Sequence, residues 1–325
     1  MALVVGVNSA ITTTGAREDL SNTITIVSPE ETPLFTNVSK TKATAISHEW
    51  QTDALDASTI NSQLEGDTVT TSTAAQTTRH SNVCQISRKT YGVSGTLQAL
   101  NLAGRSDELL RLRMKKGLEL RRDMEVNLHT NQIRTGATGA STSRLLAGLP
   151  TWINNNVGVD VSQGNGDGSS AITSSGSTAI TYEYVSSGMQ MAFEDGGQVD
   201  LIELPPRLKR QWSLLAFGSA PSTAQIRYNI DSAGQAIAVG AVEKWQSDFG
   251  LVDIIVNRQL VIQAAALLRQ VVFGLTTKHL SVPMLRGFEV KKKGVTGDAT
   301  EEFVIAEYTL ENRSPSAHFA AYGMT

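Results

Sequence analysis

The chain has 325 residues, enough to bury a sizeable core and to form about two domains. Its net charge of −3 at pH 7 excludes a broad electrostatic attraction to nucleic acid. Cys84 is the only cysteine, which excludes a disulfide framework and a cysteine-based metal site. The first ten residues have no basic segment, and their apolar run is too short for a signal peptide or a membrane span. These features predict a protein made in a reducing cytosol, with no membrane contact.

Residues 1–44 are a polar, threonine-rich segment with scattered apolar positions. Pro29 and Pro33 disfavour a regular strand ladder there, because proline lacks an N–H and restricts the residue before it. Such a segment has little core of its own. It is predicted to be either disordered or an arm that becomes ordered by lying on something else.

Residues 45–52 and 82–93 alternate as strands do, with Ile46, His48 and Trp50 on one side of the first. The segment between them has few large apolar side chains and is longer than loops inside compact domains usually are. This pattern predicts an oversized β-hairpin whose tip projects from the body. Acids lie on its first limb and basic residues on its return, at Asp53, Asp56, Glu65, Asp67, Arg79, His80, Arg88 and Lys89. The asymmetry suits contacts to a partner, and a merely solvated hairpin stays open as the alternative.

Residues 106–130 form the longest uninterrupted helical pattern in the sequence, with Ser106 as the predicted N-cap. Apolar side chains recur at helical spacing on one face, at Leu110, Met114, Leu118, Met124 and Leu128. Opposite charges four residues apart predict two ion pairs, Asp107–Arg111 and Arg121–Glu125. The basic surface elsewhere on the helix predicts either a solvated face or a long beam against which other parts of this chain or of its neighbours lie.

A second region follows the glycine- and serine-rich stretch 158–178. Helical spacing predicts a helix over residues 182–193. A short apolar strand over 199–204 then leads into a helix that begins at a proline and ends at residue 217. This strand-to-helix step is typical of an α/β unit.

The last part of the chain reads mainly as strands. Residues 252–256 predict a buried strand, whereas the apolar stretch 264–274 fits a strand or a helix equally well. Residues 288–290 and 303–310 predict a closing hairpin with a basic and then acidic tip. Taken with the helices, these strands predict an α+β fold.

No pattern in the sequence points to catalysis, a cofactor or a metal. The five histidines are scattered, with no two at metal-ligand spacing. A glycine-rich loop over 160–168 lacks the alternate carboxylates of a calcium site. The acid pairs 30–31 and 301–302 are assigned to loops with nothing apolar nearby to raise a pKa. The sequence therefore predicts no enzyme, no cofactor and no metal, and an active site assembled from distant residues remains an alternative.

Several stretches resemble a phage major head protein family with an "eTPf…EWqtD" signature. They include Glu31-Thr-Pro-Leu-Phe35, His48-Glu-Trp-Gln-Thr-Asp53, Glu65-Gly66, Arg79, Asn82, Gln85-Ile86, Val93-Ser94-Gly95, Asp107-Glu108, Glu119-Leu-Arg-Arg-Asp123, Glu125 and Glu307-Tyr-Thr-Leu310. The match covers most of the chain, is densest over 31–131 and is thinnest over about 155–264. Leu34 stands where the family often has Phe. The order of the parts also resembles the HK97-like fold of tailed-phage major capsid proteins.

The resemblance implies an N-terminal arm, a projecting hairpin called the E-loop, a P-domain built on a long spine helix, and an A-domain. Their implied bounds are 1–44 for the arm, 45–95 for the E-loop, 96–155 with 285–325 for the P-domain, and 156–284 for the A-domain. The spine helix would run over about 106–130. Pentamers and hexamers of the chain would form an icosahedral shell around packaged double-stranded DNA, without sequence-specific binding.

Implied partners are further copies of the chain, a portal protein, a scaffolding protein, and a decoration or cement protein. The implied location is the virion, after assembly in the cytoplasm of a bacterial host. Acids of the hairpin are predicted to pair with the basic helix and with adjacent subunits. The residues predicted at subunit contacts are Trp50, Asp53, Asp56, Glu65, Arg79, Arg88, Arg111, Arg113 and Arg122. Two alternatives remain, an encapsulin-type compartment that encloses protein cargo and a secreted Ser/Thr-rich adhesin.

Overall fold

The structure is a computed structural model that describes residues 26, 28–69, 71, 73–100, 102, 107–137, 142–162, 164–217, 227–230, 236–239, 243–262, 269–294 and 297–325. The predicted cap Ser106, most of the predicted N-terminal arm and residues 264–268 of the ambiguous apolar stretch lie outside these ranges. The helices are α1 (Pro33–Asn37), α2 (Gly95–Ala99), α3 (Glu108–His129), α4 (Tyr182–Glu194), α5 (Pro206–Phe217) and α6 (Gln259–Ile262). A 3₁₀ turn covers Leu149–Trp152.

The described ranges contain fifteen strands, of which the sequence predicted only some. They are β1 (Ser39–Lys42), β2 (Ser47–Thr52), β3 (Thr78–Val83), β4 (Gln85–Ser94), β5 (Asn155–Val157), β6 (Leu201–Leu204), β7 (Arg227–Ile230), β8 (Ala236–Val239), β9 (Lys244–Ser247), β10 (Gly250–Val256), β11 (Val272–Leu275), β12 (Leu280–Lys292), β13 (Ala299–Tyr308), β14 (Glu311–Asn312) and β15 (Phe319–Ala321). The ambiguous apolar stretch thus ends in a strand, β11.

The first sheet has the order β1-β12-β13-β4, and β14 also pairs with β12. Strands β12 and β13 are antiparallel, which confirms the predicted closing hairpin. Strand β1 runs parallel to the start of β12, so the residues just after α1 complete one edge of this sheet. Helix α3 packs against β4 and β13. The largest apolar core lies between this sheet, α3 and the 3₁₀ turn.

The second sheet has the order β5-β15-β11-β6-β10-β9. Strands β6 and β10 are parallel, and α5 lies between them in the chain, which confirms the predicted α/β step. A second apolar core forms where α4 and α5 cover this sheet. Strand β15 belongs to this sheet although it is the last strand of the chain, because it pairs with both β5 and β11.

Helix α3 confirms the predicted long helix, and Asp107 rather than Ser106 caps it. The Asp107 carboxylate accepts the backbone N–H groups of Leu109 and Leu110, at 2.8 and 3.2 Å, which satisfies donors of the first turn. The predicted apolar face is buried only in the C-terminal half. Met114, in the other half, is 67% exposed. Of the predicted face, only Met124 and Leu128 are fully buried, and Leu120, which the prediction did not include, is fully buried beside them.

Both ion pairs predicted within α3 are wrong. Arg111 pairs with Glu108 at 2.6 Å, because Asp107 is occupied as the helix cap. Arg121 donates to the Thr36 hydroxyl at 2.8 Å, while Glu125 turns inward and receives backbone N–H groups. In both cases capping and tertiary contacts replace a surface pair worth only a few tenths of a kcal/mol.

The predicted hairpin is confirmed, since β2 and β3 pair antiparallel with Thr52 opposite Thr78. The single strand predicted over 82–93 is wrong, because the ladder breaks at Cys84. The Cys84 N–H donates to Ile46 O at 2.8 Å. Beyond it, β4 leaves the hairpin and joins β13 in the first sheet. The chain therefore passes directly from the hairpin into the first sheet, with Cys84 as the single residue between β3 and β4.

Strand β11 requires a glycine where it passes β15. Gly274 lies opposite Phe319, whose ring covers the position that a Cβ would take. Gly274→Ala is expected to lower the free energy of unfolding by about 1–3 kcal/mol, because the ring must move within a packed core. Denaturant unfolding measures this, with Gly287→Ala on β12 as the control, since a methyl there meets no atom within 4 Å. Equal losses in the two variants would contradict the steric explanation.

Candidate assembly interface

An aromatic cluster joins the base of the hairpin to the body. Trp50 on β2 lies 5.2 Å from the ring of Trp152 in the 3₁₀ turn, measured between centroids. The His80 ring on β3 lies 6.1 Å from Trp50 and 6.4 Å from Trp152, and the His48 ring lies 5.8 Å from Trp50. Trp152 is fully buried and Trp50 nearly so. Trp50, which was predicted at a subunit contact, therefore anchors the hairpin within its own chain.

Asn82 adds a polar anchor beneath the aromatic cluster. It is fully buried, and its amide nitrogen donates to Leu310 O at 2.7 Å and to Ala147 O at 3.2 Å. Its side-chain oxygen accepts the Ala147 N–H at 2.9 Å. Arg134 donates to the backbone oxygen of Ser81, the residue before Asn82, at 2.7 Å. These hydrogen bonds pair the buried polar groups at the base of the hairpin, and they hold that base rigidly on the body.

The hairpin tip (residues 53–77) has no such support. Every described residue of the tip is exposed, and its hydrogen bonds join only residues of the hairpin itself. Four large apolar side chains protrude, with exposed fractions of 99% for Leu55, 101% for Ile60, 82% for Leu64 and 93% for Val69. Ordering such a segment costs roughly 1–2 kcal/mol per residue. A surface of this kind is typical of a contact that a second molecule covers.

The acids predicted at subunit contacts lie on this tip. Asp53 accepts the N–H of its own neighbour Ala54 at 3.0 Å, a local turn contact. Asp56 and Glu65 are exposed, and no residue in the described ranges pairs with them. The first limb of the tip therefore presents two free carboxylates beside its protruding apolar side chains.

Three of the predicted basic residues already have partners in their own chain. Arg79 pairs with Glu49 across the hairpin, and Arg111 pairs with Glu108 along α3. Arg113 reaches from α3 to the buried carboxylate of Glu302 on β13, at 2.9 Å. The structure does not bring any of these arginines to Asp53, Asp56 or Glu65 of the same chain.

Residues 301–302 lie in β13, so the prediction that they lie in a loop is wrong. Glu302 is almost fully buried there. Burial opposes its ionisation, but hydrogen bonds from the Tyr91 hydroxyl at 2.7 Å and from Arg113 outweigh burial and hold its pKa below the usual range. The pKa of Tyr91 is raised, mainly by burial and next by its hydrogen bond to Glu302. This triad fastens α3 to the first sheet and gives Arg113 a structural role.

Two predicted basic residues remain without an ion pair in the described part of the chain. Arg88 is exposed on β4, the outer strand of the first sheet, where it lines a cleft of about 560 Å³ with Tyr91 and Lys293. Arg122 is half-buried on α3, and its Nε is shielded from solvent and has no hydrogen-bond partner among the described residues. These two guanidinium groups are the candidate partners for carboxylates from outside the chain.

A buried polar cluster (Glu125, His129, Glu203 and Asn257) was missed by the sequence analysis. Its His, Glu and Glu ligand atoms lie within 4.8 Å of one another, a geometry that a metal ion could use. The Glu-x-x-x-His spacing on α3 was the available signal, but Glu203 comes from a distant strand. Each group is already hydrogen-bonded within the cluster.

The comparisons with known proteins agree with this architecture. A family model described as SU10 major capsid protein matches residues 7–325. The chain belongs to the SU10 major capsid protein family. A major capsid protein of Escherichia phage Phieco32 is 33% identical over 142 residues. That alignment covers 42% of this chain and 40% of the relative's length, so the relative is matched over less than half of its sequence.

Solved phage structures share the fold of this capsid-family chain at low sequence identity. The chain superposes on a Gordonia phage Cozz protein with a TM-score of 0.60 at 12% identity, covering 98% of this chain and 96% of that one. For a Mycobacterium phage Adephagia protein the TM-score is 0.61 at 10% identity, covering 98% and 97%. For a chain from the capsid of a native GTA particle it is 0.63 at 12%, covering 98% and 99%. The predicted α+β, HK97-like fold is confirmed.

No helix in the described ranges is both long enough and apolar enough to cross a membrane. The family assignment comes from the sequence model over nearly the whole chain, and the structural likeness supports the fold alone.

Proposed function

We propose that this chain is the building block of a phage head, forming pentamers and hexamers that close into an icosahedral shell around double-stranded DNA. The observation that carries the proposal is the projecting hairpin tip, whose apolar side chains are exposed on a base that is rigidly anchored. We infer that a second copy of the chain covers the tip, because one contact repeated around a closed symmetric assembly covers the tip of every subunit. The role is structural, not catalytic.

The proposed modules keep the bounds implied by the resemblance, namely 1–44, 45–95, 96–155 with 285–325, and 156–284. The two sheets support a division of the body into two parts, since α3 packs on the first sheet while α4 and α5 cover the second. Two strands lie within the bounds of one proposed module and pair with strands of another. Strand β4 belongs to the first sheet, and β15 belongs to the second. The projecting part of the E-loop is therefore the hairpin formed by β2, β3 and the tip.

The proposed contact joins the hairpin tip of one subunit to α3 and β4 of its neighbour. Asp56 and Glu65 are free carboxylates on the tip, and Arg88 and Arg122 are free guanidinium groups on the body, within the ranges that the structure describes. Charged groups of this kind set the register of a contact, while apolar side chains supply most of its free energy. Arg111 and Arg113 support this surface from within, since their own-chain partners hold them in place.

Further partners are proposed from the class of assembly and not from this chain's own surface. A phage head needs a portal protein, and scaffolding and decoration or cement proteins are proposed to assist it. One similar structure, from phage G, contains gp27 major capsid proteins together with gp26 decoration proteins. The proposed location is the virion, after assembly in the cytoplasm of the bacterial host.

The test is light scattering and negative-stain microscopy on the purified chain, which is expected to form closed shells or five- and six-membered rings. Glu65→Lys and Arg122→Glu should each reduce assembly and leave the far-ultraviolet circular dichroism unchanged, because neither side chain forms an ion pair within the described part of the subunit. The two changes together should restore part of the assembly, because the charges are exchanged across one contact.

Lys115→Glu is the matched control, since it reverses an exposed cation on the same helix. A purely monomeric wild-type chain at high concentration contradicts the assembly role. Normal shells from both single variants contradict the charge contact alone and leave the assembly role intact.

A further inference from the structure

We propose that Glu125, His129 and Glu203 form a buried binding site for a divalent transition-metal cation that joins α3 to the second sheet. Their ligand atoms, one imidazole nitrogen and two carboxylate oxygens, all lie within 4.8 Å of one another. Each of the three side chains is at most 1% exposed. The inference goes beyond the assembly role, and its test does not depend on shell formation.

Helix α3 orients His129 as a ligand. His129 follows Glu125 by one helical turn, and its Nδ1 lies 2.8 Å from the Glu125 backbone oxygen. That oxygen can only accept, so Nδ1 carries a hydrogen. The other ring nitrogen, Nε2, then faces Glu203 Oε2 at 2.9 Å. Histidines that bind metals usually donate their second ring nitrogen to such an acceptor, which fixes the tautomer and the orientation of the ring.

The two carboxylates are held by donors and keep lone pairs for a cation. Glu125 accepts two backbone N–H groups of α1, at 2.9 and 2.8 Å, and the Asn257 amide at 2.8 Å. Glu203 accepts the same amide with Oε1, and its Oε2 faces His129. A carboxylate has about four lone-pair positions. Within the described ranges, each carboxylate therefore retains at least one position for a metal–oxygen bond.

The net charge of the cluster favours a divalent cation over a proton. His129 is the only basic side chain that pairs with either carboxylate in the described part of the chain. The contact between Nε2 and Oε2 holds one proton, whichever atom carries it, and every other described partner of the carboxylates is itself a donor. Two carboxylates and one shared proton leave one negative charge shielded from solvent, which is unfavourable. A divalent cation in place of that proton makes the cluster neutral, and the proton passes to solvent.

The ligand set identifies the class of cation. Zn²⁺ binds imidazole nitrogen and carboxylate oxygen at about 2.0–2.2 Å, whereas Mg²⁺ and Ca²⁺ take oxygen ligands. A sulfur ligand is not part of the set, because Cys84 lies between β3 and β4, where its thiol contacts Ala45 O. Zn²⁺ is therefore the probe for this site.

The position of the site gives the cation a structural role. Glu125 and His129 belong to α3, which packs on the first sheet, and Glu203 belongs to β6 inside the second sheet. Glu125 also holds α1 through two N–H groups. A bound cation would therefore connect both sheets and α1 at one point. Because the ligands come together only in the folded chain, binding would stabilise that chain against unfolding.

The first measurement is the metal content of the full-length chain, produced with Zn²⁺ in the medium and purified in metal-free buffer. Inductively coupled plasma mass spectrometry is expected to find about one Zn²⁺ per chain. X-ray absorption of the bound Zn²⁺ should show nitrogen and oxygen neighbours, with imidazole scattering and no sulfur. Less than about one tenth of an equivalent, or a sulfur neighbour, would overturn the proposal.

Two variants test whether the bound Zn²⁺ lies at this site. His129→Gln and Glu203→Gln each remove one ligand and should lower the Zn²⁺ content at least about tenfold. His279→Gln is the matched control, because this histidine lies in the turn before β12, outside the cluster, and its variant should keep the Zn²⁺. Unchanged Zn²⁺ content in either cluster variant would place the ion elsewhere and overturn the proposal. Where a variant fails to fold, the X-ray absorption spectrum of the unaltered chain decides.

Thermal unfolding gives an independent readout. The midpoint should fall when a chelator strips the unaltered chain or His279→Gln, and it should recover when Zn²⁺ alone is returned. Glu203→Gln should show no such shift, because it holds no ion to lose. Equal shifts in all three chains would mean binding at the surface and would overturn the proposal.

Discussion

Replacing the hairpin tip with a two-residue Asn-Gly turn between Thr52 and Thr78 is expected to abolish closed shells while the subunit stays folded. Thr52 and Thr78 face each other at the end of the antiparallel ladder, which a two-residue turn can close. The described tip residues are all exposed, so the change should alter the free energy of unfolding by no more than about 0.5 kcal/mol. Light scattering measures assembly, and thermal unfolding measures the fold.

A second variant separates the length of the tip from its chemistry. Substituting serine for Leu55, Ile60 and Leu64 keeps the full tip and removes three exposed apolar side chains. This variant should assemble poorly as well, if apolar contact supplies most of the free energy between subunits. Shells of normal size from the shortened chain would show that the tip is dispensable and would reject the proposed contact.

Trp152→Ala is expected to lower the free energy of unfolding by about 3–5 kcal/mol, the range for a large aromatic side chain removed from a core. Trp152 is fully buried, and its indole N–H donates to Ala147 O at 3.2 Å. Its ring supports Trp50 at the base of the hairpin. The variant should therefore also expose Trp50, which a red shift of the tryptophan fluorescence would report before global unfolding.

Trp152→Phe is the control, because it keeps an aromatic ring and loses the indole N–H. It should cost less than Trp152→Ala, since the cavity is smaller and the lost hydrogen bond is worth about 0.5–1.5 kcal/mol. Denaturant unfolding of the unassembled chain measures both. A loss below about 1 kcal/mol in Trp152→Ala would contradict the view that this ring anchors the hairpin.

The sequence alone determined the elements whose signals are local. Helix α3 follows from a 3.6-residue apolar period, the hairpin and the β12–β13 pair follow from alternation, and the α5 helix follows from a proline at its first position. The order of these elements and the motifs quoted above also predicted the HK97-like fold. The spacing of apolar residues predicts these elements because each helix or strand must bury one of its faces in the folded protein.

Tertiary structure alone decided the partners of the charged residues. Arg113 and Glu302 are far apart in the chain, and only the packing of α3 on the first sheet brings them together. Glu125 looked like the partner of Arg121, yet it is buried beneath α1 with His129. A surface ion pair is worth too little to predict where a side chain turns, whereas a buried carboxylate must find donors wherever the fold supplies them.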